Sequence, residues 1–345
     1  MDSKEGDFDP SNPPPASSAS ELLDPKFVMR SLSSLLVLPD AMDLSSVSRR
    51  DSSIVLRTQV LFLVGAILAS IKDCPGSRGK QDQPAVGLIG CGLIGSNMVD
   101  AMIAAGLPPF SILIASRDEQ KVARFKALGC RSGSDTAVVE SCKIIVVCVA
   151  PQHLRALGNE IRKLKKKNQC LVISTVAGVS SNKIAKLCGI SKVIRTVVDL
   201  VQLPVAWEDG GEEEKTTGGG AAGLTSDMIT VGAKNLVAQS GALREIQAAI
   251  ESLAVGLGAD PEQAKLDVTK AIVGEQDTGD SPIKRRQKEE VKQEQKLGEA
   301  SDEWIEEAPK PFLECADFLK YWKDNLAKGF YEVIAEEVYV KDLLF

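Results

Sequence analysis

Val86–Gly106 reads VGLIGCGLIGSNMVDAMIAAG, and the fold follows from it. The apolar run Val86–Ile89 stops at Gly90, and glycines recur at Gly92 and Gly95. A helical period comes next, with Ile94, Met98, Met102 and Ala105 on one face and Gly106 closing it. This is G-x-G-x-x-G between a predicted strand and a predicted helix, the context in which the pattern holds a dinucleotide. Gly90 permits the tight turn out of the strand. Gly92 removes a side chain where a pyrophosphate must approach the backbone, and Gly95 lets the helix pack closely on the strand. The N–H groups and dipole of the first helical turn then face the phosphates. Gly90, Cys91, Gly92, Leu93, Ile94 and Gly95 are the candidate pyrophosphate loop.

Downstream, strand and helix alternate. Phe110–Ala115 predicts a second strand, and Asp118–Leu128 a helix with Val122, Phe125 and Leu128 inward. Ser134–Ser141 predicts a short helix capped by Ser134 or Asp135. Lys143–Val149 (KIIVVCV) is a continuous apolar run, the mark of a strand covered on both faces. A helix over Gln152–Lys167, a strand over Cys170–Ser174, a helix over Ser181–Leu187 and a strand over Lys192–Val198 complete the series. Right-handed crossovers then build an α/β fold: a Rossmann-type, mostly parallel, doubly wound sheet with extra N- and C-terminal helices.

Upstream, Ser52–Ile71 is the most hydrophobic stretch. Its uninterrupted apolar part, Val60–Ala69, is about half the roughly 20 residues that cross a bilayer. Arg57 and Gln59 interrupt it, so the reading is a buried or partner-facing helix. The Ser, Pro and acid-rich start predicts disorder over 1–30, with a helical segment and linker over 31–80. The dinucleotide domain is placed at 81–260. Within it the stretch EDGGEEEKTTGGG makes 205–223 a flexible insertion, and structure resumes at Met228–Gly232 before a helix at Ala242–Leu257. The remainder, 261–345, reads as a helical tail with a charged linker at 278–301. Its stripes, Phe312, Cys315, Phe318, Leu319 and Trp322, then Phe330, Val333, Ile334 and Val338, read as packing surfaces.

A chain of 345 residues with 44% hydrophobic content can bury a sizeable core, and at 4% aromatics that core is aliphatic. The net charge of −6 argues against a nucleic-acid or anionic-membrane partner. The eight cysteines form no C-x-x-C pair, and the acidic start MDSKEGDFDP is unlike a mitochondrial presequence. They read as reduced thiols of a cytoplasmic protein, with Cys91 filling a small position in the loop. His153 is the single histidine, which argues against a His-rich metal site and a Ser-His-Asp triad; no metal is expected.

The end of the second strand selects the nucleotide. An NAD site carries an acid there for the ribose 2′-hydroxyl, whereas this strand ends Ala115-Ser116-Arg117. A hydroxyl followed by a guanidinium suits a 2′-phosphate, so Ser116 and Arg117 favour NADP (NADPH). Asp135, in a later turn at the adenosine edge, tempers this preference. Over the carboxyl ends of the middle strands, Val149-Ala150-Pro151 and Ala177-Gly178 are candidate nicotinamide contacts.

The series V-G-L-I-G-C-G-L-I-G, S-R, C-V-A-P-Q-H-L, V-I-S-T-V-A-G-V and V-I-R-T resembles the pyrroline-5-carboxylate reductase family, closest to its divergent branch of NADP-dependent oxidoreductase domain-containing proteins. The likeness runs from about Pro84 to Gly258. It implies NAD(P)H-dependent reduction of a cyclic imine, the last step of proline synthesis, and the cofactor contacts named above. The chain departs from that pattern at Val149-Ala150-Pro151, where the family has Val-Lys-Pro, and at Asp199-Leu200-Val201, where it has Asn-Thr-Pro. The family's Gly-Ser-Gly-Pro substrate loop has only a faint echo in Gly279-Asp280-Ser281-Pro282. Arg195 and Asp199 are the nearest polar candidates for catalysis. The expected partner is a small-molecule substrate, with a homodimer or a protein partner possible through the terminal helices. The competing readings are a catalytically inactive NADP-binding protein acting through such a partner, and a 2-hydroxyacid-type dehydrogenase for which Lys234 would be the lysine.

Overall fold

The computed structural model describes residues 44–77, 85–164, 170–198, 224–238, 241–274 and 315–337. Contacts divide the chain into Met1–Val47 and Ser48–Phe345. Of the first unit only residues 44–47 are described, as the opening turn of a helix. The expected disorder at 1–30, the insertion at 205–223, the linker at 278–301 and the Gly279–Pro282 echo lie outside the described residues.

The sheet has six strands: β1 (Val86–Ile89), β2 (Ile112–Ala115), β3 (Arg131–Ser132), β4 (Ile144–Val147), β5 (Leu171–Ser174) and β6 (Val193–Arg195). Their order is β3-β2-β1-β4-β5-β6 and every pairing is parallel. The fold is therefore Rossmann-type and doubly wound, with the reversal between β1 and β4. Strand β3, two residues long, is an addition to the sequence reading. Alternate residues feed two cores. Leu88, Ile114, Ile144, Val146 and Ile173 enter one, and Ile89, Leu113, Ile145, Val147 and Val172 the other. That double burial is why the strands read as unbroken apolar runs.

Helix α1 (Leu44–Ile71) precedes the sheet. Within the alternation run α2 (Leu93–Ala104), α3 (Glu119–Ala127), α4 (Asp135–Ser141), α5 (Leu154–Ile161) and α6 (Ser181–Cys188). Helix α5 is shorter than the expected Gln152–Lys167. Pro151 starts a 3-10 turn, Pro151–His153, and the α-helical span ends at Ile161. Beyond β6 come α7 (Ser226–Val237), α8 (Ala242–Gly256), α9 (Pro261–Val273), α10 (Ala316–Tyr321) and α11 (Lys328–Glu337), the last two joined by a π-helical stretch, Trp322–Ala327.

Helices α4, α5 and α6 cover one face of the sheet through Val138, Leu157 and Ile184. Helices α1, α2, α3 and α7 onward share the other core. Ser52–Ile71 is long and apolar enough to cross a bilayer, with mean hydropathy 2.1, yet 89% of it is buried in the protein. The apolar stripe Phe318, Trp322, Phe330, Val333 and Ile334 is buried too; Phe312 and Val338 lie outside the described residues.

Gln59 shows how α1 is fixed. It is fully buried. Its Nε2 donates to the carbonyl oxygens of Val197 (2.9 Å) and Gly232 (3.1 Å), and its Oε1 accepts from Val197 N (3.0 Å). A helix side chain thus satisfies the backbone just past β6. A β-carbon on Gly232 would collide with Thr58 Oγ1, so α1 and α7 meet at backbone distance. Gln59→Leu leaves the part-buried Val197 N–H without this acceptor, and we expect a stability loss of about 1 kcal/mol, read by urea denaturation. An unchanged midpoint would show that α1 is not anchored there.

Candidate functional site

Each glycine of the loop has its own local geometry. Gly90 takes a positive φ of 96°, a conformation L side chains rarely adopt. A β-carbon there would lie 2.7 Å from the carbonyl oxygen of Cys148, just past β4. Gly95 lies against the strand, since a β-carbon on it would collide with the Gly90 carbonyl oxygen. Gly92 is the opposite case: a β-carbon would meet nothing within 4 Å. The loop is therefore tight at its first and third glycines and open at the second, where a pyrophosphate needs room.

Gly92 is also the N-cap of α2, and no side chain caps the helix. The first N–H groups of a helix have no intrahelical acceptor, so those of Leu93, Ile94 and Gly95 are left to a ligand or water. Leu93 is 63% exposed on this rim, while Cys91 is buried and burial raises its thiol pKa. Cys91 fills space in the loop. Cys148, which follows β4, is pushed up to about 12 by burial. No disulfide joins any of the eight cysteines, all of which lie among the described residues.

At the end of β2, Ser116 is half-buried and Arg117 exposed. Ser116 Oγ accepts from Asp118 N at 3.2 Å. Asp118 is occupied as the N-cap of α3. Its Oδ1 accepts from Lys121 N and its Oδ2 pairs with Lys121 Nζ, both at 3.2 Å. The backbone hydrogen bond from Lys121, with the Lys121 side chain, holds that carboxyl below its ordinary range. This nearby acid is thus a helix cap. Ser134, not Asp135, caps α4, accepting from Ala137 N at 3.2 Å.

All strands are parallel, so their carboxyl ends share one edge of the sheet. Val149 is half-buried there, and Ala150, Pro151, Ala177 and Gly178 are exposed. A β-carbon on Gly178 would meet nothing within 4 Å. With Gly90–Gly95 these residues lie past the carboxyl ends of β1, β4 and β5, where the strand order reverses and where open α/β sheets bind ligands in general. Arg195 ends β6 in register with Ser174, at the same edge. Asp199 lies outside the described residues. Lys234 is exposed on α7, and His153 is half-buried in the 3-10 turn. No group of three His, Cys, Asp or Glu among the described residues could hold a metal ion.

Three polar contacts that flank this edge could not be read from the chain. Asn97 Nδ2 on α2 donates to Ser53 Oγ on α1 at 3.1 Å. Thr175 and Thr196, both buried, bond the carbonyls of Val147 and Ser174 through Oγ1 at 3.2 Å. These contacts join residues far apart in the chain, so no local spacing announces them. A separate groove of about 310 Å³, bordered by Asn182, Lys192, Glu245 and Ser252, lies beside β6 and shares no residue with the glycine loop.

Residues 85–178 match the family described as NADP oxidoreductase, coenzyme F420-dependent. That span holds the glycine loop, Ser116–Arg117, Val149–Pro151 and Ala177–Gly178. Among solved structures, a pyrroline-5-carboxylate reductase from Coxiella burnetii is similar at 18% identity and a TM-score of 0.33, over 72% of this chain and 97% of that one. Pyrroline carboxylate reductase from Plasmodium falciparum, solved with NADP bound, follows at 14% identity and a TM-score of 0.28, over 73% and 100%. Glycerol-3-phosphate dehydrogenase from Saccharomyces cerevisiae aligns at 11% identity and a TM-score of 0.27, over 76% and 98%. No curated protein matches the chain.

Proposed function

We propose that the protein is an NADPH-dependent oxidoreductase that transfers a hydride to a small imine of the pyrroline-5-carboxylate type, in the cytoplasm. The observation that carries this is the glycine loop: closed at Gly90 and Gly95, open at Gly92, beneath an uncapped helix. The family match over 85–178 supports the redox class. The imine rests on the sequence resemblance.

The residues divide the work. The N–H groups of Leu93–Gly95 hold the pyrophosphate, with the α2 dipole adding favourable charge. Ser116 Oγ and the Arg117 guanidinium take the 2′-phosphate. Val149–Pro151 and Ala177–Gly178 border the nicotinamide, and the small side chains at Ala150, Ala177 and Gly178 leave room for a flat ring. A reduced nicotinamide bound there supplies the hydride, and the protein contributes orientation and exclusion of water. Arg195, at the carboxyl end of β6, is the candidate anchor for a substrate carboxylate.

The competing reading is a nucleotide-binding protein that has lost catalysis and works through its terminal helices. One observation weighs against that route. The apolar faces of α1, α10 and α11 are buried in the chain's own core, so a partner would have to use other surfaces. The test mixes purified full-length protein with NADPH and pyrroline-5-carboxylate and follows loss of the reduced-nicotinamide absorbance. We expect turnover above the enzyme-free rate. NADPH binding without turnover on any of a panel of imines and carbonyls would favour the inactive reading, and no binding at all would overturn both.

A further inference from the structure

Asp135 stands beside the residues assigned to the nucleotide's ribose, on an element of its own. Strand β3 pairs with β2 in the register Ile114↔Ser132, and Gly133 N donates to Ile114 O at 3.0 Å. The two chains therefore leave the sheet side by side, Ser116–Arg117 from β2 and Ser134–Asp135 from β3. Ser134 Oγ is engaged in capping α4, and Asp135 is the first residue of that helix. It is half-buried. Burial raises its pKa, the charge of Glu160 on α5 adds to the rise, and the Arg117 guanidinium is near enough to oppose it.

We propose that Asp135 determines the nucleotide specificity of the crevice, its carboxylate competing with a 2′-phosphate for Arg117 and accepting a hydrogen bond from an unphosphorylated ribose 2′-hydroxyl instead. The proposal rests on the cofactor reading above. Its physical basis is charge. A carboxylate near a dianionic phosphate repels it, and the same carboxylate is a good acceptor for a neutral hydroxyl. With the acid at the end of β2 committed to capping α3, the role that acid plays in NAD sites is open at this corner, and Asp135 is placed to take it. The crevice then accepts both dinucleotides, with Arg117 and Asp135 pulling in opposite directions.

The experiment titrates full-length protein with NADPH and with NADH, following nicotinamide fluorescence, for the wild type, Asp135→Asn, Arg117→Gln and the double variant. Asp135→Asn is expected to tighten NADPH by about tenfold and to leave NADH unchanged or weaker. Arg117→Gln should weaken NADPH and spare NADH. In the Arg117→Gln background the gain from Asp135→Asn should shrink, because the competition runs through Arg117. Asp135→Ser, which also removes the charge, repeats the test if the asparagine variant does not fold. An unchanged NADPH to NADH ratio, or parallel changes in both affinities, overturns the assignment of Asp135 and leaves the crevice standing. If neither dinucleotide binds the wild type or the variants, the crevice reading falls and takes this assignment with it.

Discussion

Replacing Gly92 with valine should leave the protein folded and cost it the dinucleotide, while replacing Gly95 with alanine should damage both. Gly92 sits at φ −74° and ψ −163°, an extended conformation that any residue adopts. Around its would-be β-carbon there is nothing within 4 Å. Valine is a poor N-cap, so a stability loss of about 1 kcal/mol is expected. Its two methyl groups would fill the space assigned to the pyrophosphate and screen the N–H groups beneath. We expect NADPH affinity to fall on the order of a hundredfold, about 2.7 kcal/mol. Gly95→Ala differs because its new methyl would run into the Gly90 carbonyl oxygen. Relief requires α2 to lift from β1, which strains a packed interface, and a loss of about 3 kcal/mol is expected. Thermal unfolding separates the two variants, and NADPH titration completes the contrast. Wild-type affinity in Gly92→Val would remove the basis of the cofactor site.

Local chemistry made the front of the fold legible. A strand buried on both faces has to read as an apolar run, a phosphate loop has to be glycine-rich, and an amphipathic helix has to show its period. Hence β1, α2, β4 and β5 could be drawn from the chain alone, and Ser116–Arg117 could be placed at the end of β2. Strand β3 escaped because two residues carry no period. Helix α9 falls in the expected helical tail, and its ends carry local signals: Asp260 caps it, Pro261 opens it and Gly274 follows it. What could not be read is whatever depends on distance across the fold. Gln59 interrupts an apolar helix, and nothing near it in sequence says that its amide serves Val197, 138 residues away. Nor does Asp135 declare its neighbour Arg117 except through the β2–β3 register. The junction of α1, the end of β6 and α7 around Gln59 belongs to the same class, since it joins three separate stretches of chain rather than one motif.

Trp322→Ala tests whether the terminal helices are part of the body that carries the crevice. Trp322 is buried and its Nε1 donates to the Phe62 carbonyl of α1 at 3.0 Å. A β-carbon on Gly65 would collide with its indole, so α1 has a glycine where the ring comes close to the backbone. Phe62 in turn stacks on Phe330 of α11, with ring centroids 4.0 Å apart and planes 3° from parallel. One indole thus joins the N-terminal and C-terminal helices over the same core that receives Met98 and Met102 of α2. Alanine leaves a cavity the size of an indole beside Phe62, in a packed core that can close only partly, which costs about 4 kcal/mol. We expect Tm to fall by roughly 10 °C. Because α1 reaches the cofactor helix through Ser53 and the β6 exit through Gln59, loosening it should also lower NADPH affinity, by less than Gly92→Val does. A Tm near wild type would mean that the terminal helices sit on the fold without supporting it. Deleting them should then spare binding, and the partner-docking reading would regain its ground.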